Sequence, residues 1–502
     1  MAEQAVVAPV PTHSAETGDK GLKSGALGFV SSVVIGVAST APGYSLAASL
    51  GLVVAAVGLQ APAIMWIAFV PMLLVATAYY CMNRVDPDCG TTFTWATRAL
   101  GPAAGWIGGW AIIVADVVVM ANLAQIAGLY TFLLFGADGA AASTFWVTFV
   151  GVIWIAVMTI ICWIGIELSA RLQWFLLAAE IITLAIFAVV ALIKVYGSNP
   201  PANSEHVSGS WLNPFDISTS SALVSGVLVA VFIYWGWDSL VSVNEETEDA
   251  TRTPGIAAIT ATVILVGIYV IVSIAAQAFH GPQFLVDNSD DVLSALGTDV
   301  LGSPWDKLLI IAVLTSASAS TQTTILPTSR TSLSMAVHGA IPKYWGRINP
   351  RFLTPGPSTI WMGVISIVWY VGLTLVSENI LFDSIAALGL MIAFYYGLTG
   401  FACVVYFRRA LFKSVRNFFL AGVAPLIGGL MLAAIFVKSC IDLSKPANSE
   451  SGDSWFGLGP PLVIAIGFLI MGIVFMLLCW WNAPEFFRRK PETADPEVAL
   501  YG

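Results

Sequence analysis

The stretch Gly36, Val37, Ala38, Ser39, Thr40, Ala41, Pro42, Gly43 breaks the first long apolar run of this chain, and Tyr234, Trp235, Gly236, Trp237, Asp238 breaks the sixth. Gly and Pro interrupt a membrane helix and free backbone groups that lipid cannot satisfy. Such breaks persist only where the freed backbone lines a cavity within protein. Two of them, at corresponding places in two halves of a chain, point to a binding site of the kind transporters build at the midplane.

Twelve apolar runs carry these breaks, at 25–58, 61–83, 103–134, 143–166, 171–195, 220–243, 255–279, 307–333, 358–377, 381–407, 416–438 and 461–481. Each is near or above the roughly 20 residues that a spanning helix needs. Of 502 residues, 58% are hydrophobic and 10% charged, where a soluble domain averages roughly 25% charged. The chain reads as an all-α integral membrane protein with twelve transmembrane helices; a membrane barrel would show short alternating segments instead. Spans one to five and six to ten form two halves, each opening on an interrupted helix. The expected divisions are a tail at 1–24, a first five-helix repeat at 25–195, an extracellular loop at 196–219, a second repeat at 220–410, spans eleven and twelve at 411–482, and a tail at 483–502.

Lys and Arg set the orientation. With the N-terminus inside, only Lys194, Lys307, Lys438 and Lys445 of the 21 basic residues fall outside. The expected placement is a multi-pass protein of the cytoplasmic (inner) membrane with both termini, read as disordered ends, in the cytoplasm. The stretch from Met1 to about Lys20 has no apolar core and is not expected to be a signal peptide. The inner loop after span eight carries Lys343, Arg347 and Arg351 among four prolines. Its basic character suits anionic membrane lipid, and positive-inside topology alone also accounts for it.

Cys81, Cys89, Cys162, Cys403, Cys440 and Cys479 have no ligand spacing, and read as small packing residues. The four histidines fall in tails, loops or helix ends, so no metal site is expected. No Walker motif, HExxH or GxSxG context appears. Neither an enzyme nor an ATP-driven pump is expected, and neither a cofactor nor a nucleic-acid partner.

Three stretches carry a resemblance. Pro87, Asp88, Cys89, Gly90, Thr91, Thr92, Phe93, Thr94 and Trp95, continuing through Gly101, Pro102, Gly105, Trp106, Gly109 and Trp110, look like the loop before span three of amino acid permeases. Asn244, Glu245, Glu246, then Arg252, Thr253 and Pro254, look like the segment after span six; Ser329, Arg330, Met335, Gly339, Ile341 and Pro342 resemble the end of span eight. Together they resemble the amino acid–polyamine–organocation (APC) superfamily over about 25–410. The resemblance implies a LeuT-like fold with a five-plus-five inverted repeat. It implies a substrate held between spans one, three, six, eight and ten, and transport of amino acids or amines by symport or exchange. Many members carry a Gly-Ser-Gly run at the first break, whose amides hold the substrate carboxylate. Here Ser39 and Thr40 keep hydroxyls, Ala41 stands between them and Pro42, Pro42 removes a donor, and Gly43 keeps one permissive residue. Amines without a carboxylate therefore stay in play.

Ionisable groups inside a bilayer are costly and are functional candidates by default. Asp116, Glu180 and Asp238 lie deep in spans three, five and six, with no Lys or Arg at mid-span. Such carboxylates need a proton, hydrogen bonds or a bound cation. Asp238 either faces a substrate amine or caps the second half-helix of span six. In several family members a Lys in the region of Glu180 stands in for the second sodium and is assigned to proton coupling, so Glu180 reads as the proton-coupling group, or else as a structural hydrogen bond. Asp116 either shares a proton with Glu180 or bonds a hydroxyl of span eight. Tyr44, Trp235, Trp237, Tyr395 and Tyr396 offer faces to an ammonium group or pack. Asn122 and Gln125, and Ser316 and Ser320 on one face of span eight, add hydrogen-bonding groups. A sodium site would instead need carbonyls of span one and hydroxyls such as Ser318 and Thr321.

The expected function is a proton-coupled secondary transporter importing an amino acid or small organic amine. An ethanolamine or polyamine permease, an exchanger, a sodium symporter, and a non-transporting sensor or a channel on the same scaffold are the alternatives.

Overall fold

The computed structural model describes residues 19–289, 291–376, 378–449 and 451–495. Apolar helix dominates because lipid leaves the backbone no other partner. The first continuous apolar stretch, Phe29–Val85, is 57 residues long. At 1.5 Å per residue it would reach about 85 Å as a straight helix, nearly three times the hydrocarbon thickness. It folds back as two spans. Span one is Phe29–Ser39 followed by Pro42–Val57, and span two is Ala61–Val85. Spans three to five are Pro102–Leu134, Thr144–Ile164 and Ile166–Val195. Span six is Ser220–Ile233 and then, after an irregular turn, the short helix Ser239–Ser242. Spans seven to ten are Thr253–Asp287, Lys307–Val337, Gly356–Val376 and Glu378–Phe407; Ala424–Leu443 and Pro460–Asn482 are spans eleven and twelve.

Packing reports the repeat. Spans two and seven, three and eight, and four and nine lie against each other. In span one, the first half-helix touches the second half of span six, and the second half-helix touches the first half of span six. An inverted five-plus-five repeat generates these pairings, because these spans meet their counterparts near the pseudo-two-fold axis. Spans three and eight form the centre, with 72% and 78% of their apolar windows buried, against 22% for span twelve at the rim. The fold is LeuT-like, with twelve spans as the sequence implies.

One expectation needs correction at each end. The first eighteen residues lie outside the described part, but the segment that follows is tied to the protein: the Lys20 ammonium is buried between Asp88 and Glu245, and Leu22 is buried. Immediately after it, the amides of Ala26 and Leu27 donate to the Glu246 carbonyl. Beyond span twelve, Phe486 and Phe487 are buried, Glu492 N–H donates to the Arg98 carbonyl and Ala494 N–H to the Tyr406 carbonyl. Residues 496–502 lie outside the described part. Both segments are polar enough to read as free ends, yet each is tied to the same face, called the terminal face below.

Candidate substrate and coupling site

The break in span one is small and fully engaged. Ala41 adopts φ 47°, a left-handed conformation costing an L-residue roughly 1–2 kcal/mol. It redirects the chain so that Pro42 starts the second half-helix, where its missing N–H is no loss. The first-turn amides of that half-helix face inward and have no helical partner of their own. Gly43 N–H donates to Glu180 Oε1 at 2.6 Å, and Tyr44 N–H donates to Ser316 Oγ at 3.1 Å. Ser45 N–H returns to the Ala41 carbonyl at 2.8 Å. On the other side of the break, Ser320 Oγ donates to the Ser39 carbonyl at 2.8 Å, and the Ser39 and Ser239 hydroxyls lie 2.8 Å apart. A Cβ at Gly43 would meet Glu180 Oε1 at 3.4 Å, an ordinary contact. Positive charge density at a helix N-terminus suits a carboxylate, and a side chain from span five supplies it.

The break in span six faces the opposite problem. Its buried carboxylate, Asp238, makes no side-chain cap to the short helix that follows. The capping alternative is therefore corrected. Asp238 accepts instead from Tyr396 Oη at 2.7 Å, Tyr395 Oη at 3.1 Å and, at the edge of hydrogen-bonding range, Tyr79 Oη at 3.5 Å. Trp235 Nε1 donates to Tyr395 Oη at 2.5 Å. Trp237 packs between Tyr79 and Tyr396, with ring centroids 5.0 and 5.3 Å apart. Gly236, at φ 114°, lies so close to span one that a Cβ would fall 2.7 Å from the Ser39 carbonyl oxygen. The two breaks therefore cross in direct backbone contact.

Ser39, Thr40, Ala41, Gly43, Tyr44, Glu180, Trp235, Trp237, Asp238 and Ser316 thus surround one crossing point. The Thr40 hydroxyl is turned back to the Val37 carbonyl. Asp116 and Asn122 have other partners. Asp116 accepts from Thr328 Oγ1 at 2.5 Å, the span-eight hydroxyl alternative, whereas Glu180 accepts from span one. Asn122 donates to Ser384 Oγ at 3.2 Å in span ten, and Gln125 accepts from Tyr370 Oη at 2.6 Å. Thr321 bonds the Ala317 carbonyl of its own helix, so the span-eight hydroxyls that reach span one are those of Ser316 and Ser320. Sequence reading missed Asp383, wholly buried in span ten; it lies two residues inside the apolar run, where a loop acid and a buried one look alike.

A second polar cluster, on the terminal face, was also missed. Lys20 Nζ lies 2.8 Å from Asp88 Oδ2, 2.6 Å from Glu245 Oε1 and 3.5 Å from Cys89 Sγ. Asp88, Cys89 and Glu245 converge closely enough to hold a metal ion, but the ammonium group supplies the positive charge there. Burial alone would raise the Asp88 carboxyl; the adjacent Lys20, with His338 and the Ser334 hydroxyl, holds it well below the usual carboxylate range. Burial likewise works against the Lys20 ammonium, and Asp88, Cys89 and Glu245 override it to hold its pKa above the usual lysine value. Arg330 is fully buried and forks onto Glu246 through Nε at 2.8 Å and Nη2 at 2.9 Å. Arg98 pairs with Asp86 at 2.9 Å. The signal for this cluster was present: Asp88, Cys89, Glu245, Glu246 and Arg330 all sit in the stretches that carry the family resemblance.

Comparison with known proteins fits this geometry. Residues 25–480 match the amino acid permease family. The chain belongs to that family. An uncharacterized transporter of Mycobacterium tuberculosis is 28% identical over 356 residues, 68% of this chain and 72% of its own length. The branched-chain amino acid permease BcaP of Lactococcus lactis is 24% identical over 317 residues, 59% of this chain and 64% of its own. The low-affinity putrescine importer PlaP of Escherichia coli is 19% identical over 413 residues, 82% of this chain and 88% of its own. The permease is a multi-pass membrane transporter rather than an enzyme.

Proposed function

We propose that this permease imports an amino acid or small organic amine together with protons, by alternating access, across the cytoplasmic membrane with both termini inside. The observation that carries the reading is the 2.6 Å bond from Gly43 N–H to Glu180. A buried carboxylate with no cation beside it is neutralised most simply by a proton. When charged, Glu180 holds the N-terminus of the second half-helix of span one through a hydrogen bond and the helix dipole. Protonation weakens both attractions and releases span one from span five. Binding of a proton and rearrangement at the break are then one event. A sodium site is the competing reading: of its expected hydroxyls Thr321 is turned back on its own helix, whereas Ser318 Oγ is buried with no hydrogen-bond partner among the described residues. Trp235, Tyr44, Ser316 and Asp238 are the proposed substrate contacts, with Ser39, Thr40, Ala41, Gly43, Asn122 and Trp237 shaping the site.

Within this reading, one observation favours an amine lacking a carboxylate. Gly43 and Tyr44 already donate to Glu180 and Ser316, so a substrate carboxylate would have to displace an internal one. The test is uptake by purified protein in liposomes, with and without an inward pH gradient, for amino acids and for the amines formed by their decarboxylation. Gradient-driven accumulation lost in Glu180→Gln is expected. Accumulation that ignores the gradient and survives that substitution overturns proton coupling.

A further inference from the structure

Between span four and the loop that joins spans eight and nine lies a cleft of about 260 Å³, lined by Trp163, Tyr344, Arg347, Asn349, Ile360 and Trp361 among others. It sits at the end of two membrane helices, so one wall is loop and the other is lipid-facing helix. Three features make it more than a surface dent. First, the one charged residue lining it is basic, Arg347, beside the neutral Asn349 and Tyr344, and from His338 to Pro357 the chain has Lys343, Arg347 and Arg351 and no acid. Among the described residues none of the three has an ion pair, and Glu167, the acid next along the chain from Trp163, is engaged by Lys23 at 2.8 Å. Second, the charge is oriented. Arg347 lies over the Tyr344 ring, 5.3 Å from its centroid, and Trp361 Nε1 donates to Tyr344 Oη at 3.3 Å. Third, the cleft opens onto an apolar strip on span nine, where Ile360, Trp361, Val364, Ile365 and Val368 are all exposed.

We propose that this cleft is a binding site for the headgroup of an anionic phospholipid. An arginine fork matches a phosphate diester in geometry as well as charge. Tryptophan and tyrosine settle at headgroup depth. The exposed strip of span nine gives the acyl chains their path. A volume just under the roughly 300 Å³ at which drug-sized pockets begin admits a headgroup and leaves the chains outside in the bilayer. Topology by itself asks only that a loop carry Lys and Arg; it does not ask for a guanidinium stacked over a tyrosine inside an aromatic-walled cleft.

Native mass spectrometry of the full chain in detergent, titrated with phosphatidylglycerol or phosphatidylcholine, tests this. The expected result is tighter phosphatidylglycerol binding, weakened about fivefold by Arg347→Gln, the factor one basic residue contributes at an anionic surface. Lys413→Gln, on another loop of the same face, should leave it unchanged. Equal binding of the two lipids overturns the proposal, as does equal loss in both variants, which would mean diffuse surface charge. Displacement by millimolar inorganic phosphate as effective as by lipid also overturns it, since the cleft would then hold free phosphate.

Discussion

Two regions of this permease bury carboxylates, and they do so in opposite ways. On the terminal face every buried acid named here meets a cation: Asp86 meets Arg98, Asp88 and Glu245 meet Lys20, Glu246 meets Arg330. At the crossing of the two broken helices and just beyond it, Asp116, Glu180 and Asp238 accept only from hydroxyls and a backbone amide. A paired charge in low dielectric is fixed, because removing either partner strands the other. An acid held by neutral donors can still take a proton or a cationic ligand without breaking an ion pair. On the proposed reading, the terminal face does structural work and the crossing carries the transport chemistry.

The largest effect should come from the most buried pair. Arg330→Ala is expected to lower stability by about 3–5 kcal/mol, read as a lower unfolding temperature in detergent, with transport falling only as folded protein is lost. A stable Arg330→Ala protein that has lost uptake would break the contrast by giving the terminal face a direct role in transport. Next, Lys20→Met should destabilise the protein at neutral pH and reshape its acid limb. Asp88 has a lowered folded-state pKa, so its contribution is complete above the ordinary Asp value of about 4 and is lost as pH falls below it. Lys20 has a raised one, so its contribution is complete below 10.5 and lost only in strong alkali. Thermal melts from pH 7 to pH 3 should therefore fall steeply at the acid end in the parent and more shallowly in Lys20→Met.

At the crossing the changes should be smaller and graded. Tyr396→Phe removes a short hydrogen bond to a carboxylate and should cost about 1.5–3 kcal/mol, while Tyr79→Phe, whose contact is 3.5 Å, should cost distinctly less by the same melts. Glu180→Gln keeps an oxygen that can accept from Gly43 N–H, so its stability should change by about 1 kcal/mol or less. Gradient-driven uptake should nevertheless fall about tenfold or more, a factor that corresponds to only 1.4 kcal/mol. A large loss of stability there would show that Glu180 is structural, like its counterparts on the terminal face.

Much of this was legible from residues alone. Run length and low charge announce twelve helices, and Pro42, Gly43 and Gly236 announce two breaks, because membrane backbone has few ways to bend. Glu180 stands out since an acid in a span of Val, Ile and Leu has no solvated explanation. Its partner does not stand out: 137 residues separate it from Gly43, and nothing local couples span five to span one. Asp238 was recognised as special but given the wrong alternative role, as its tyrosine donors come from spans two and ten. Lys20 read as part of a solvated tail because a lone lysine near a terminus looks the same whether it meets water or two acids.

The sequence by itself determined the membrane class, the number of spans and the position of both interruptions, all of which follow from backbone satisfaction and hydrophobic length within contiguous segments; the inverted repeat was implied by the family resemblance. Only the tertiary structure decided which acids are paired with a cation and which are held by neutral donors. That depends on what each carboxylate meets across the helix bundle, and the contacts that settle it join residues far apart in the chain.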